Sequence, residues 1–149
     1  MRYPWIEDGH RIFYIVLLVQ LLLSFIIGYF TDTLIFATVV GIPIIAGPLL
    51  TCRFFPDAAI SRYAVAIAVQ LFCALHIHQT FGLIEIHFQI FVLLAFLSVY
   101  RDWKVIAIGT SVVAIHHVGF FILQSNGVPV FVFEDGHVTN SILLLHAVF

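Results

Sequence analysis

Five apolar runs, each close to the length of a membrane-crossing helix, follow one another along this chain of 149 residues. They cover residues 12–30, 33–51, 58–79, 83–100 and 103–124, and a helix that spans a bilayer needs about 20 such residues. Only 9% of the residues are charged, whereas a soluble domain carries about 25%. The sequence therefore predicts an all-α, multi-pass membrane helix bundle, and it excludes a soluble enzyme or a nucleic-acid-binding protein.

A sixth apolar run begins near Val138 and is still apolar at Phe149. About a dozen residues reach about 18 Å as a helix, and the hydrocarbon core is about 30 Å thick. We therefore expect six transmembrane helices, with the sixth truncated at its far end. Residues 1–149 would form a single transmembrane domain whose chain continues through the bilayer.

All six basic residues fall before the first run or in alternate loops: Arg2, Arg11, Arg53, Arg62, Arg101 and Lys104. The other loops carry acidic residues, such as Asp32 and Glu134, and neither Lys nor Arg. Because basic loops stay on the cytoplasmic side, this pattern predicts a cytoplasmic N-terminus and six crossings. Pro43 and Pro48 lie inside the second run and predict a kinked helix, which membranes tolerate.

Histidine is abundant for a membrane chain, with eight residues. In the predicted topology six imidazoles lie in the outer half of the third to sixth helices, together with Glu85: His76, His78, His87, His116, His117 and His146. His137 falls in an outer loop and His10 on the cytoplasmic side. Ionisable groups inside membrane helices are costly and mark functional sites, so we expect a site near the periplasmic face.

Three chemistries suit this cluster. A transition-metal ion (Cu, Zn or Fe) accepts imidazole and carboxylate ligands, a haem b takes two axial histidines, and a histidine network can sense or transfer protons. The predicted metal ligands are His78, His87, His117 and His146 first, followed by Glu85, His116 and His76. His87, His117 and His146 are the candidates for the haem alternative. His76 and His78 are about 200° apart on a helix, so both cannot face one partner.

Residues 74–124 and the final LLLHAVF carry a distinctive set of motifs. These are EIHF at 85–88, YRDW at 100–103, the His116-His117 pair and His146-Ala147. With this spacing the chain resembles the N-terminal membrane-embedded sensor module of bacterial methyl-accepting chemotaxis proteins, which is also fused to diguanylate cyclases and histidine kinases. The resemblance covers the last two-thirds of the chain and leaves the first two helices unmatched.

The resemblance implies a receptor module of the bacterial inner membrane that has no catalytic activity of its own. A His-ligated metal cofactor near the periplasmic face would control a cytoplasmic signalling domain in cis, as in chemotaxis-type signal transduction. Its partners would be the lipid bilayer and a second copy of the chain in a homodimer. The alternatives are a haem-based redox or gas sensor and a His-rich membrane metallo-oxidoreductase, although the HxxxH and HxxHH boxes of membrane diiron enzymes are absent.

The charge pattern yields a direct test of topology. A reporter fused after Asp57 should be active on the cytoplasmic side, and one fused after Ser125 on the periplasmic side, because basic loops stay inside. Alkaline phosphatase and green fluorescent protein fusions at both positions measure this. The opposite location at either position would contradict the six-span orientation.

Overall fold

The computed structural model describes residues 4–134, which form five helices joined by short turns. We number them α1 (Pro4–Phe30), α2 (Leu34–Phe54), α3 (Ala59–Gln79), α4 (Ile84–Leu97) and α5 (Trp103–Ser125). A 3₁₀ turn, Ser98–Tyr100, extends α4. No strand occurs among the residues 4–134, and the predicted all-α class is confirmed for them.

Within the described range, four helices, α1, α2, α3 and α5, are long and apolar enough to cross a membrane. The predicted fourth span is helical too, but Ile84–Tyr100 is a shorter apolar helix. The predicted sixth helix, from Val138, lies outside the described residues. The described part of the chain thus has the composition of a multi-pass membrane protein, with four candidate spans where the sequence predicts five.

The central element of the bundle is α3, which packs against each of the other four helices. Of its most apolar 18-residue window, 61% is buried, against 17–28% for the other candidate spans. Small side chains such as Ala66 and Ala68 let the neighbouring helices approach it. Polar groups such as Gln70 and Gln79 are buried along α3, whereas large apolar side chains cover the outside of the bundle. This polar-inside arrangement suits a lipid surround.

The second helix has an irregular segment where the sequence predicted a kink. Ala37–Gly41 forms a π-helical turn directly before Pro43. A proline has no N–H to donate to the preceding turn, and a π-turn is one way for a helix to absorb such a gap. Gly41 faces Leu21 and Phe72 closely, because it has no Cβ to keep α2 away from them.

The two ends of the bundle differ in charge: one holds all the Lys and Arg side chains of residues 4–134 together with acidic ones such as Glu7 and Asp102, and the other holds acidic residues without Lys or Arg. At one end His10 Nε2–H donates to the Pro56 carbonyl oxygen at 2.9 Å, and Arg62 contacts Asp102 at 3.4 Å. These contacts bring the start of α1, the α2–α3 turn and the α4–α5 turn together. Five of the six basic residues therefore share one end within the described chain, and Asp32, Glu85 and Glu134 lie towards the other.

At the acidic end, the α3–α4 turn at Gly82 is crossed by the loop that follows α5, residues 126–134, which we call the returning loop. Gly82 has a φ of 84°, and a Cβ there would overlap the backbone of Phe133, so this crossing requires glycine. Gln124 holds the loop in place: its Oε1 accepts from Val132 N–H at 3.1 Å, and its Nε2–H donates to the Phe133 carbonyl oxygen at 2.7 Å. Val132 and Phe133 are buried beneath this crossing.

A polar network ties α1 and the α1–α2 turn to α3. The Gln79 side chain accepts from Ser24 Oγ at 2.7 Å and donates to the Ser24 carbonyl oxygen at 3.1 Å. It also lies 3.2 Å from the Thr33 hydroxyl oxygen. Gln70, two turns earlier on α3, is also buried, yet both polar atoms of its side chain lack a hydrogen-bond partner among the described residues.

These two glutamines form a matched pair for a stability test. Gln79→Leu should lower the free energy of unfolding by about 2 kcal/mol, because it leaves the buried Ser24 hydroxyl without its acceptor and removes the contact with Thr33. Gln70→Leu should leave that free energy unchanged or raise it, because it removes an amide whose burial is uncompensated. Reversible unfolding in mixed micelles measures both changes. Equal losses from the two variants would contradict the network.

Candidate functional site

Two imidazoles from neighbouring helices meet in the acidic half of the bundle. His87 lies in the first turn of α4 and His117 lies eight residues before the end of α5. Both are buried, and their ring centroids are 5.5 Å apart with an edge-to-face angle of 69°. The structure thus brings the rings of two predicted metal ligands, His87 and His117, into contact.

Each of these rings is fixed by its own helix. His87 Nδ1–H donates to the Leu83 carbonyl oxygen at 3.2 Å, and His117 Nδ1–H donates to the Val113 carbonyl oxygen at 3.0 Å. A carbonyl oxygen can only accept, so in each neutral ring the proton is on Nδ1 and the lone pair on Nε2. Metal-binding histidines are oriented by this kind of hydrogen bond from the other ring nitrogen.

The spacing of the pair suits a single ion. Two imidazoles on one ion have ring centroids about 5 Å apart, given metal–nitrogen bonds of about 2 Å. The observed 5.5 Å is close to this value. Two large cavities of the described chain, of about 680 and 780 Å³, are lined by other residues. The case for a shared ion at His87 and His117 rests on the spacing of their rings.

His116 lies beside this pair and also lines a cavity. Its ring centroid is 5.3 Å from that of His117 and 4.3 Å from that of Phe120. The side chain is 9% exposed, and its Nε2 is buried without a hydrogen-bond partner among the residues described. It lines the cavity of about 680 Å³, which His78 also lines.

His78 is separated from the pair and held by the returning loop. Its Nδ1 accepts from the Phe131 backbone N–H at 3.2 Å, so the neutral ring carries its proton on Nε2. Aromatic rings enclose it, with Phe36 edge-to-face at 4.8 Å and Phe131 stacked at 5.8 Å. The sequence placed His78 among the first ligands, whereas the structure places it in the cavity with His116.

Two other predicted ligands face elsewhere. His76 is fully buried and uses both ring nitrogens in hydrogen bonds, to the Gln20 carbonyl oxygen at 3.1 Å and the Gln89 side chain at 2.9 Å. Glu85 is exposed at the start of α4. It is two residues from the buried His87, and thus on the other side of the helix.

Three or more metal-binding side chains do not gather into one group within residues 4–134. His87 and His117 could therefore supply two nitrogen donors to an ion, and a further ligand would have to come from water, a bound molecule or another part of the chain. His146 and His137 lie outside the described residues, so their predicted positions stay predictions.

The sequence analysis missed a polar contact at the basic end. His10 Nδ1 accepts from the Tyr100 hydroxyl at 3.0 Å, and Cys52 Sγ lies 3.4 Å from the same nitrogen. Tyr100 also stacks on Phe13, with centroids 5.4 Å apart. The YRDW motif thus helps to hold α1 against the end of α4, a structural role that its position at a span boundary did not reveal.

Comparisons with protein-family models, with curated proteins and with solved structures give no match for this chain. The resemblance to chemotaxis sensor modules therefore depends on the sequence motifs alone.

The hydrogen bonds of the imidazoles predict which nitrogen carries the proton. His87 and His117 should be Nδ1–H tautomers, because each donates to a backbone carbonyl, whereas His10 and His78 should be Nε2–H tautomers. Solid-state ¹⁵N NMR of the metal-free protein in lipid distinguishes the two nitrogens by chemical shift. Nε2–H signals from His87 and His117 would contradict the predicted orientation of their lone pairs.

Proposed function

We propose that this chain is the membrane-embedded part of a sensory receptor, and that His87 and His117 bind a transition-metal ion of the Cu, Zn or Fe class. The observation that carries the proposal is the buried pair of rings, 5.5 Å apart, each with its Nδ1–H committed to a carbonyl of its own helix. Borderline-soft ions prefer neutral imidazole nitrogen. The bound ion would supply Lewis acidity or a redox change, and the protein would hold it away from bulk water.

The proposed module has six spans and a cytoplasmic N-terminus in the inner membrane of a bacterium. The gathering of basic residues at one end of the bundle supports this orientation, since such residues stay on the cytoplasmic side. The pair would then lie in the periplasmic half, and His146 stays a predicted third ligand. In this proposal the sixth helix passes the signal to a cytoplasmic output domain, and the receptor works as a homodimer.

A sensor needs two states that differ in their contacts with the ligand. His87 is in α4, and His117 is in α5. An ion shared by the two rings would hold these helices in one relative position, and its loss or oxidation would release them. The proposed signal is therefore a change in packing between α4 and α5, without a catalysed reaction.

The test is metal content per chain. The protein in nanodiscs, supplied with Cu, Zn or Fe, should carry about one equivalent of its preferred ion. His87→Ala and His117→Ala should each lose it, because the loss of one ligand leaves the ion under-coordinated. His10→Ala is the control, since it also removes a hydrogen-bonded imidazole, but one at the opposite, basic end of the bundle.

Elemental analysis measures the ion, and an absorption spectrum detects haem. Full metal content in both His87→Ala and His117→Ala, or none in the wild type, would contradict the proposal. A Soret band that disappears with His87 or His117 would replace the ion with the haem alternative, whereas turnover of a substrate by the metal-loaded protein would favour the oxidoreductase alternative. Size-exclusion profiles identify any variant that has not folded.

A further inference from the structure

A groove of about 780 Å³ at the basic end of the bundle lies between the first turns of α1 and the end of α2. Three exposed apolar side chains in its lining, Tyr14, Ile15 and Leu49, belong to the apolar runs of these helices, residues 12–30 and 33–51. Two arginines in its lining, Arg11 and Arg53, lie just outside those runs. In a membrane this groove would therefore straddle the boundary between the hydrocarbon and the head groups.

Ionised side chains of both signs line this groove. Arg11 Nη2–H donates to Glu7 Oε1 at 2.8 Å, and the two side chains remain 74% and 61% exposed. Arg53, in the last turn of α2, and Asp57, in the α2–α3 turn, line the groove and are exposed too. A bound anion alone would face both carboxylates, and a bound cation alone would face both guanidinium groups. A ligand with one charge of each sign therefore suits the groove best.

The charged side chains have the hydrogen-bonding capacity for such a ligand. A guanidinium group has several N–H donors in a planar fork, which matches a phosphate, so Arg11 can bind one while it also holds Glu7. A carboxylate accepts several hydrogen bonds, so Glu7 can accept from an ammonium group as well as from Arg11. Tyr14 is an amphipathic side chain of the kind that suits the edge of a membrane. A phosphate and a primary ammonium above an acyl chain are the chemical groups of an aminophospholipid.

We propose that the groove between α1 and α2 binds a zwitterionic phospholipid whose head group carries a primary amine. The phosphate lies between Arg11 and Arg53, and the ammonium group donates to the Glu7 carboxylate. One acyl chain lies against Ile15 and Leu49. A lipid held in this way links the start of α1 to the end of α2. The groove and the proposed metal site are at opposite ends of the bundle, so neither proposal depends on the other.

The chain offers a matched control for each charge. Arg53→Gln removes a guanidinium group from the groove, whereas Lys104→Gln removes a positive charge from the same end of the bundle but on α5, away from the groove. Glu7→Gln removes the proposed acceptor of the ammonium group. Asp8→Asn removes the neighbouring carboxylate, which does not line the groove. All four side chains are exposed, so the variants should fold as the wild type does.

Native mass spectrometry of the delipidated protein, titrated with defined lipids, measures the dissociation constant of the first lipid bound. Phosphatidylethanolamine should bind about fivefold more tightly than phosphatidylcholine, which has no N–H to donate, or phosphatidylglycerol, which has no cationic group. Arg53→Gln should weaken the binding of phosphatidylethanolamine about fivefold, since an exposed charged contact has this order of effect. Glu7→Gln should abolish the preference for phosphatidylethanolamine over phosphatidylcholine. Asp8→Asn and Lys104→Gln should bind as the wild type does.

Three outcomes would overturn the proposal. Equal binding of phosphatidylethanolamine and phosphatidylcholine to the wild type would mean that the ammonium group is not recognised. Tightest binding of phosphatidylglycerol would identify a site for an anionic lipid instead. Equal weakening by Arg53→Gln and Lys104→Gln would mean that the lipid responds to the total charge of this end and not to the groove. The comparison of lipids on the wild-type protein tests the head group without any variant, and circular dichroism identifies a variant that has not folded.

Discussion

The packing of this chain depends on the cost of leaving a polar side chain in contact with lipid. The hydrocarbon core offers no hydrogen bonds, so a buried amide or imidazole needs a partner inside the protein. The central helix α3 carries the largest share of such groups, and the Ser24–Gln79–Thr33 contacts and the bond from His76 to the Gln20 carbonyl oxygen attach α1 and the α1–α2 turn to it. The bundle is therefore organised around the polar face of one helix.

The orientation of the buried histidines follows from the same constraint. His87 and His117 each donate Nδ1–H to a carbonyl oxygen of their own helix, so Nε2 is the nitrogen that would bind the proposed ion. His116 and His78 lie where α2 and α5 fail to close over α3.

Much of this arrangement could be predicted from the sequence, because hydropathy and charge are read residue by residue. The runs 58–79 and 103–124 agree closely with Ala59–Gln79 and Trp103–Ser125. The first helix begins eight residues before its apolar run, at Pro4, because its charged first turns extend beyond the apolar stretch. Hydropathy cannot detect such turns, although their backbone hydrogen bonds are the same as those of the buried part.

The sequence predicts at which level of the membrane the histidines lie, but not which side of each helix faces the interior of the bundle. Helix spacing placed the imidazoles at one level, yet the side of α4 that faces inward is set by its contact with α3. The bond between Gln89 and His76 helps to fix that rotation; it turns His87 towards α5 and Glu85 outward. Likewise, the adjacent His116 and His117 are both buried, and only the packing decides which one faces α4 and which one lines the cavity of about 680 Å³. A single sequence contains no information on that choice.

The π-turn at Ala37–Gly41 has a consequence for how this chain tolerates changes in length. Such a turn accommodates one residue more than a regular helix of the same rise. Deleting one residue there would restore continuous α-helical geometry, and the side chains on either side would keep their facing. The same deletion in α3 would rotate everything beyond it by about 100° and expose its polar groups to lipid. Single-residue gaps between homologous chains should therefore concentrate in α2 and be rare in α3.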